Sequence, residues 1–200
     1  LNINKAIENL ELNDANVPAS RIDVLTGEMY GLRAMLHFDL LRLFGPIYSV
    51  NSGVESIPYY DEPSTEIKPL LPANEVIDMV LADLNVALEY LAEDPVRTYG
   101  KIDATEEDDD WSDFYRFRNL RFNYFSAKAL ESRVQLYAGN TAEALTASKA
   151  VIEEATQWFP WVDPDDVIGA GSVADRSFSS EILFALQNTE LYDRQNDFFA

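Results

Sequence analysis

The stretch GEMYGLRAMLHFDLLRLFG, residues 27–45, predicts that the fold is organised around one buried helix. At 3.6 residues per turn its apolar side chains form two stripes, which is typical of a helix covered on more than one side. Gly45-Pro46 is expected to end this helix, with Gly45 in a left-handed cap conformation. The first stripe comprises Leu25, Met29, Leu32, Leu36, Leu40 and Leu43, and the second comprises Tyr30, Ala34, Phe38, Leu41 and Phe44.

The polar residues of this helix are interpreted as structural. Asp39 lies among apolar neighbours and needs a partner, for which Arg42 is the nearest local candidate. Arg33 and Arg42 are expected to pair with buried carboxylates or to cap neighbouring helix ends. His37 is the only histidine of the chain, and a lone helical histidine is more often a hydrogen-bonding core residue than a catalyst.

Composition excludes several classes of function. The net charge of −20 argues against nucleic acids and anionic membrane surfaces as partners. With no cysteine, disulfides, thiolate metal sites and cysteine nucleophiles are absent, and one histidine disfavours a histidine-based metal site or triad. The 200 residues could form one core or part of a larger one. No signal peptide and no apolar run of roughly 18 residues is visible, so a mature or trimmed chain is expected.

Periodicity predicts a mainly α fold that forms a single helical domain over residues 1–200, with TPR-like helical hairpins joined by long irregular loops. The turn Gly139-Asn140 separates the last two helices, and Asn140 with Glu143 reads as a capping box. A short strand is expected near the C-terminus, within 179–186. The helices are predicted at about 3–12, 20–45, 72–92, 117–138 and 140–157, and the two hairpins at about 27–92 and 117–157.

Two long segments, about 46–72 and 95–115, lack helical periodicity. Loops of that length in compact domains are usually functional or disordered. The acidic run within 103–113 offers oxygen ligands that would suit calcium, but it lacks the spacing of a calcium-binding loop. A solvated loop is therefore the favoured interpretation of this run.

Four segments, in order along the chain, resemble the SusD/RagB family. The pattern in residues 27–45 is followed by Ile57-Pro58-Tyr59, by Asp83-Leu84 with Ala87 and Leu91, and by residues 133–140 with Ala144. Ser180-Glu-Ile-Leu-Phe184 is a fifth, family-like segment. Members of this family are surface lipoproteins of Bacteroidota outer membranes. The chain lacks their lipid-bearing cysteine, and it ends earlier than they usually do, so it is expected to be a fragment of roughly the N-terminal half.

The resemblance implies a non-catalytic protein, without cofactor or metal, that binds oligosaccharides for a SusC-like TonB-dependent transporter. It implies a surface-exposed lipoprotein of the cell outer membrane, held there by a lipid anchor that this chain does not contain. Glycan binding needs exposed aromatic faces beside hydroxyl-binding groups. The stacking candidates are therefore loop aromatics: Trp111, Tyr59, Tyr60, Tyr48 and Trp161, with Tyr115 and Trp158 in the wider set.

Two other functions stay open at this stage. Helical hairpins could serve as a TPR-like scaffold that holds a protein or peptide partner in a concave face. A glycoside-acting enzyme would need two carboxylates flanking a cleft, and the sequence shows no such pair on an ordered element.

Overall fold

The computed structural model describes residues 1–12, 17–102, 113–168, 171–186 and 190 of the chain. Its architecture is mainly α-helical, as predicted. The main helices are α1 (Asn2–Leu12), α2 (Ala19–Phe44), α4 (Ala73–Tyr90), α6 (Tyr124–Ala138) and α7 (Thr141–Ala155). Shorter helices are α3 (Tyr48–Asn51), α5 (Val96–Tyr99) and α8 (Pro164–Ile168), and strands β1 (Glu55–Ile57) and β2 (Leu71–Pro72) form a small antiparallel pair.

Helix α2 lies at the centre of the packing, because it contacts α1, α4 and α6. Its second apolar stripe supplies the fully buried Ala34, Phe38 and Leu41, which pack with Val80 and Leu84 of α4 and other core residues. Two glycines permit close approach. A Cβ on Gly31 would lie 2.0 Å from the Phe122 ring, and one on Gly27 would lie 2.6 Å from Leu91 Cγ.

Three predictions about α2 need correction. The second half of its first stripe is exposed, since Leu36, Leu40 and Leu43 face away from the core. Arg42 is the partner of Asp39 as predicted, with 3.2 Å between Nη1 and Oδ1, but Asp39 is half-exposed and the ion pair lies on the surface. Gly45 ends the helix as predicted, but in an extended conformation with φ −80° and ψ 172°.

The segment predicted to be irregular between 46 and 72 contains α3 and the β1–β2 pair. Its end is tied to the start of α4, because the backbone N–H groups of Ala73 and Asn74 donate to the carbonyls of Val54 and Ser52. These two bonds satisfy amides that a helix start leaves without an internal acceptor.

Helix α6 begins at Tyr124 and not near 117, because the capping box forms there. The Asn123 side chain accepts from the Ser126 N–H at 3.0 Å, and the Ser126 hydroxyl accepts from the Asn123 N–H at 2.7 Å. Phe117 adopts a left-handed backbone with φ 54°, which excludes it from a helix. The capping box predicted at Asn140 is absent, and the Asn140 amide donates instead to Gln135.

The strand predicted within 179–186 is not found in the described part of the chain. Ser179–Glu181 forms a 3-10 turn, and the following residues run without strand pairing. Their polar groups are satisfied otherwise, because Leu183 O accepts from the Asn123 amide at 2.7 Å and Ala185 N donates to Asn119 O at 2.9 Å. Apolar alternation here reflects docking onto the turn before α6.

Candidate functional site

A buried polar network links α2, α4 and the segment after β1. The Arg33 guanidinium binds the Asp83 carboxylate in a bidentate manner, with Nε–Oδ2 at 2.7 Å and Nη2–Oδ1 at 2.6 Å. The Tyr59 hydroxyl donates to Asp83 Oδ2 at 2.6 Å, and its ring stacks on His37 with the two centroids 3.8 Å apart. Burial and the adjacent Asp83 carboxylate raise the pKa of the Tyr59 phenol, so it remains a donor.

Hydrogen bonds at both ring nitrogens hold His37 in one tautomer. Tyr60 N donates to Nε2 at 3.1 Å, so the proton lies on Nδ1, which donates to Arg33 O at 2.9 Å. Burial lowers the pKa of His37 below its ordinary value and keeps the ring neutral. The structural role predicted for His37 and for Arg33 is confirmed by these contacts.

A second buried network surrounds Arg118, whose side chain is fully enclosed. It binds the Asp94 carboxylate through Nε–Oδ1 at 3.0 Å and Nη2–Oδ2 at 2.6 Å, and its third nitrogen contacts Glu28. Asp94 also accepts the backbone N–H groups of Val96 and Tyr124, which begin α5 and α6. This network fixes the turn after α4 against the start of α6.

Above this turn lies a cleft of about 900 Å³, which we call the α2–α4 cleft. The first turns of α2 form one wall, and the end of α4 with the following turn forms the other. Tyr115 lies between them, and its hydroxyl donates to Ser20 Oγ at 3.2 Å. The described lining residues are Ser20, Asp23, Val24, Glu89, Tyr90, Ala92, Glu93, Pro95 and Tyr115.

The α2–α4 cleft combines aromatic rings with hydrogen-bonding groups. Tyr90 is 41% exposed and Tyr115 is half-buried, so a ligand can contact both rings. The described lining carries three carboxylates and no cationic side chain. Such a surface can receive the apolar face of a sugar ring and accept hydrogen bonds from hydroxyl or ammonium groups. It disfavours anionic ligands.

The predicted stacking residues occupy different places. Tyr59 is 2% exposed, and its ring is covered by His37, so the stacking role predicted for it is corrected to a structural one. Tyr60 is half-buried beside Lys68, and Tyr48 packs on Tyr137 with their centroids 5.2 Å apart. Trp161 is 68% exposed. None of these four belongs to the described lining of the α2–α4 cleft.

Trp111 lies outside the described residues. The cleft residue that sequence reasoning missed is Tyr90, at the end of α4. The sequence does indicate that Tyr90 could be exposed, because it falls outside the apolar stripe formed by Val76, Val80, Leu84 and Leu91. Trp158, also in the wider set, is half-buried, and its indole N–H donates to Arg97 O at 3.0 Å, which indicates a structural role.

Within the described residues no group of three or more acidic or histidine side chains could hold a metal ion. Among the described helices, none combines the length and apolar character needed to cross a lipid bilayer.

Comparison with known proteins gives a consistent result at the level of structure. No family model matches the chain, and no curated protein matches it. Among solved structures, a SusD superfamily protein from Bacteroides thetaiotaomicron is similar at 25% identity and a TM-score of 0.58, over 76% of this chain and 29% of that one. A laminarin-binding SusD-like protein is similar at 25% identity and a TM-score of 0.53, over 75% of this chain and 27% of that one.

A SusD-like carbohydrate-binding protein from Bacteroides vulgatus shows the same fold at 17% identity and a TM-score of 0.63. The match covers 82% of this chain and 30% of that protein. The chain thus spans less than a third of the length of these three structures. The chain is therefore similar in fold to one part of SusD-like proteins.

Proposed function

We propose that this chain belongs to a surface protein that binds oligosaccharides without transforming them and delivers them to a SusC-like TonB-dependent transporter in the outer membrane. The observation that carries the proposal is the likeness, at 25% identity, to SusD-like structures, one of which binds laminarin. The transporter, the lipid anchor and the surface location are proposed from the family resemblance.

The α2–α4 cleft is the part of the glycan-binding surface that we assign to this chain. Sugar rings present apolar faces and hydroxyl edges, and the cleft offers Tyr90 and Tyr115 beside carboxylates and the Ser20 hydroxyl. Trp111, Tyr60, Tyr48 and Trp161 stay proposed as additional stacking residues.

Affinity electrophoresis across a panel of polysaccharides tests the proposal, using the longest polypeptide that the gene encodes. Tyr90→Ala and Tyr115→Ala should abolish retardation by the glycan that binds, because stacking area is lost. Tyr99→Ala, which removes another exposed tyrosine, is the matched control. Trp111→Ala, Tyr60→Ala, Tyr48→Ala and Trp161→Ala, assayed in parallel, test the additional residues.

Each outcome separates function from site. Retardation that persists in both cleft variants would keep the binding function and reject the α2–α4 cleft. A folded protein that no glycan retards would overturn the proposed function and favour a TPR-like scaffold for peptides. Release of reducing ends from any polysaccharide in the panel would contradict a non-catalytic role.

A further inference from the structure

The carboxylates of the α2–α4 cleft have no cationic partner of their own. Asp23, Glu89 and Glu93 line the cleft with exposed side chains, and its described lining includes no lysine or arginine. Within the described part of the chain, no ion pair involves any of the three. Their negative charge is therefore directed at solvent or at a ligand in the cleft.

The arginines on neighbouring elements do not neutralise this charge, because other groups hold them. Arg97 binds Glu154 of α7, with 2.9 Å between Nη2 and Oε2. Arg21 lies over the ring of Phe114, 5.2 Å from its centroid, and Arg118 is enclosed in its own buried network. A cation that neutralises the cleft must therefore come with the ligand.

The end of α4 adds to the negative potential of the cleft. The last carbonyls of a helix carry partial negative charge, and the last turn of α4 contains no basic residue to offset it. Glu89 lies in that turn, where a carboxylate is unfavourable unless a cation comes near. The positive end of α2 also reaches the cleft, but Asp23 in its second turn offsets that end.

The two tyrosines of the cleft favour the same kind of ligand. The face of a tyrosine ring attracts a cation, and it also receives the apolar face of a sugar ring. A pyranose that carries an ammonium group in place of a hydroxyl joins both properties in one unit. Its ring can stack on Tyr90 or Tyr115 while its ammonium donates to a carboxylate at the rim.

We propose that the α2–α4 cleft selects glycans built from free amino sugars, that is, from hexosamines whose amine is not acetylated and carries a proton. The ammonium groups pair with Glu89 and Glu93 at the end of α4, and the sugar rings stack on the tyrosines. This inference rests on the proposed function and adds to it the charge of the ligand.

Two oligosaccharides of equal length test the inference, one of β-1,4-linked glucosamine and the other its fully N-acetylated counterpart. Isothermal titration uses the longest polypeptide that the gene encodes, at about pH 5.5, where carboxylates with an ordinary pKa of about 4 stay ionised. The glucosamine oligosaccharide should bind at least about ten-fold more tightly than the acetylated one. Glu89→Gln with Glu93→Gln should remove most of this preference. Glu143→Gln with Glu153→Gln, at exposed positions of α7, removes the same charge outside the cleft and should keep it.

The outcomes separate this inference from the proposed function. Equal affinities for the two oligosaccharides, or no binding of the glucosamine one, would overturn the inference, whereas retardation by any polysaccharide of the panel would still support glycan binding. Equal loss of the preference in the cleft variant and in the α7 control would also overturn it, because net charge would then attract the amine. An oligolysine that binds as tightly as the glucosamine oligosaccharide would overturn it and identify a basic peptide as the ligand.

Discussion

Arg33 of α2 and Asp83 of α4 form a two-point ion pair inside the protein, at a sequence separation of 50 residues. Arg33 donates further to Asn4 on α1 and to the carbonyl of Asp61, so one guanidinium joins two helices and a loop to α4. The Arg-Ala and Asp-Leu elements of the sequence resemblance therefore coincide with a contact that sets how the first helices pack.

Replacing Arg33 with Met should lower the free energy of unfolding by about 3–5 kcal/mol, because the Asp83 carboxylate would stay buried without its partner. Urea unfolding followed by circular dichroism measures the change. Arg42→Met removes a surface pair to Asp39 and should cost less than about 1 kcal/mol. Equal losses in the two variants would show that the buried Arg33 pair contributes no more to the free energy of unfolding than the surface pair does.

Gly31→Ala should destabilise the protein by about 1–3 kcal/mol, since the new Cβ would lie 2.0 Å from the Phe122 ring. The better helix propensity of Ala offsets part of this cost. Gly53→Ala is the control, because no atom lies within 4 Å of its added Cβ. A double variant with Phe122→Leu should recover part of the loss. Independent effects of the two substitutions would contradict the proposed contact.

Asp94→Asn should lower stability by about 3 kcal/mol, because Arg118 would lose its fully buried anionic partner and keep only Glu28. Amide hydrogen exchange should show faster exchange at Val96 and Tyr124, whose N–H groups donate to this carboxylate. Asp78→Asn, at an exposed position of α4, should change neither property. Unchanged exchange at both amides in a destabilised Asp94→Asn variant would argue against the helix-start contacts.

Stability should depend on pH through His37. Burial lowers the pKa of His37 in the folded state below the unfolded value of about 6.5. The stabilising effect of the neutral ring is complete above that value. It is lost as pH falls from about 6.5 toward the folded pKa, since only the unfolded chain takes up the proton there.

His37→Gln serves as the reference for this effect, because the many carboxylates titrate in both proteins. The difference in unfolding free energy between the two should shrink on acidification below about pH 6.5, by at most about 1.4 kcal/mol per pH unit. A difference that stays constant from pH 7.5 to 5 would rule out a depressed pKa.

Charge in the α2–α4 cleft should set preference among glycans, if the proposed function holds. Glu93→Gln together with Glu89→Gln should strengthen binding of polysaccharides rich in uronic acids several-fold, because repulsion is removed. The affinity for a neutral glycan should change little, because the carboxylates do not repel an uncharged ligand. Isothermal titration at two salt concentrations distinguishes the cases, and the same gain for neutral and acidic glycans would count against an electrostatic cause.

The sequence predicted the fold best where periodicity is long. The central helix, its end at Gly45, and the turn between α6 and α7 follow from apolar spacing and from Gly and Pro chemistry. The local sequence pattern predicted the wrong helix boundary where contacts with distant residues determine it. Phe117 looked helical, but capping by Asn123 and the buried Arg118 pair place the helix start seven residues later.

The candidate site was harder to predict, because exposure of an aromatic residue depends on tertiary contacts. Tyr59 and Tyr60 are adjacent, but Asp83 and His37 bury Tyr59. Tyr90 was missed because it belongs to a helix and not to a loop. Helix packing determines which aromatic rings lie in the same cleft, and the spacing of residues along the sequence does not reveal that packing.

The hydrogen bond from the Asn123 amide to Leu183 O joins groups 60 residues apart. The same asparagine caps the start of α6 through its side-chain oxygen, so one side chain joins a local helix start to a distant stretch of chain. Closing a loop of that length carries an entropic cost that the α6–α7 hairpin, with its two-residue connection, does not. In the order of folding events, the hairpin can therefore form early, while residues 182–186 dock afterwards on Asn119 and Asn123.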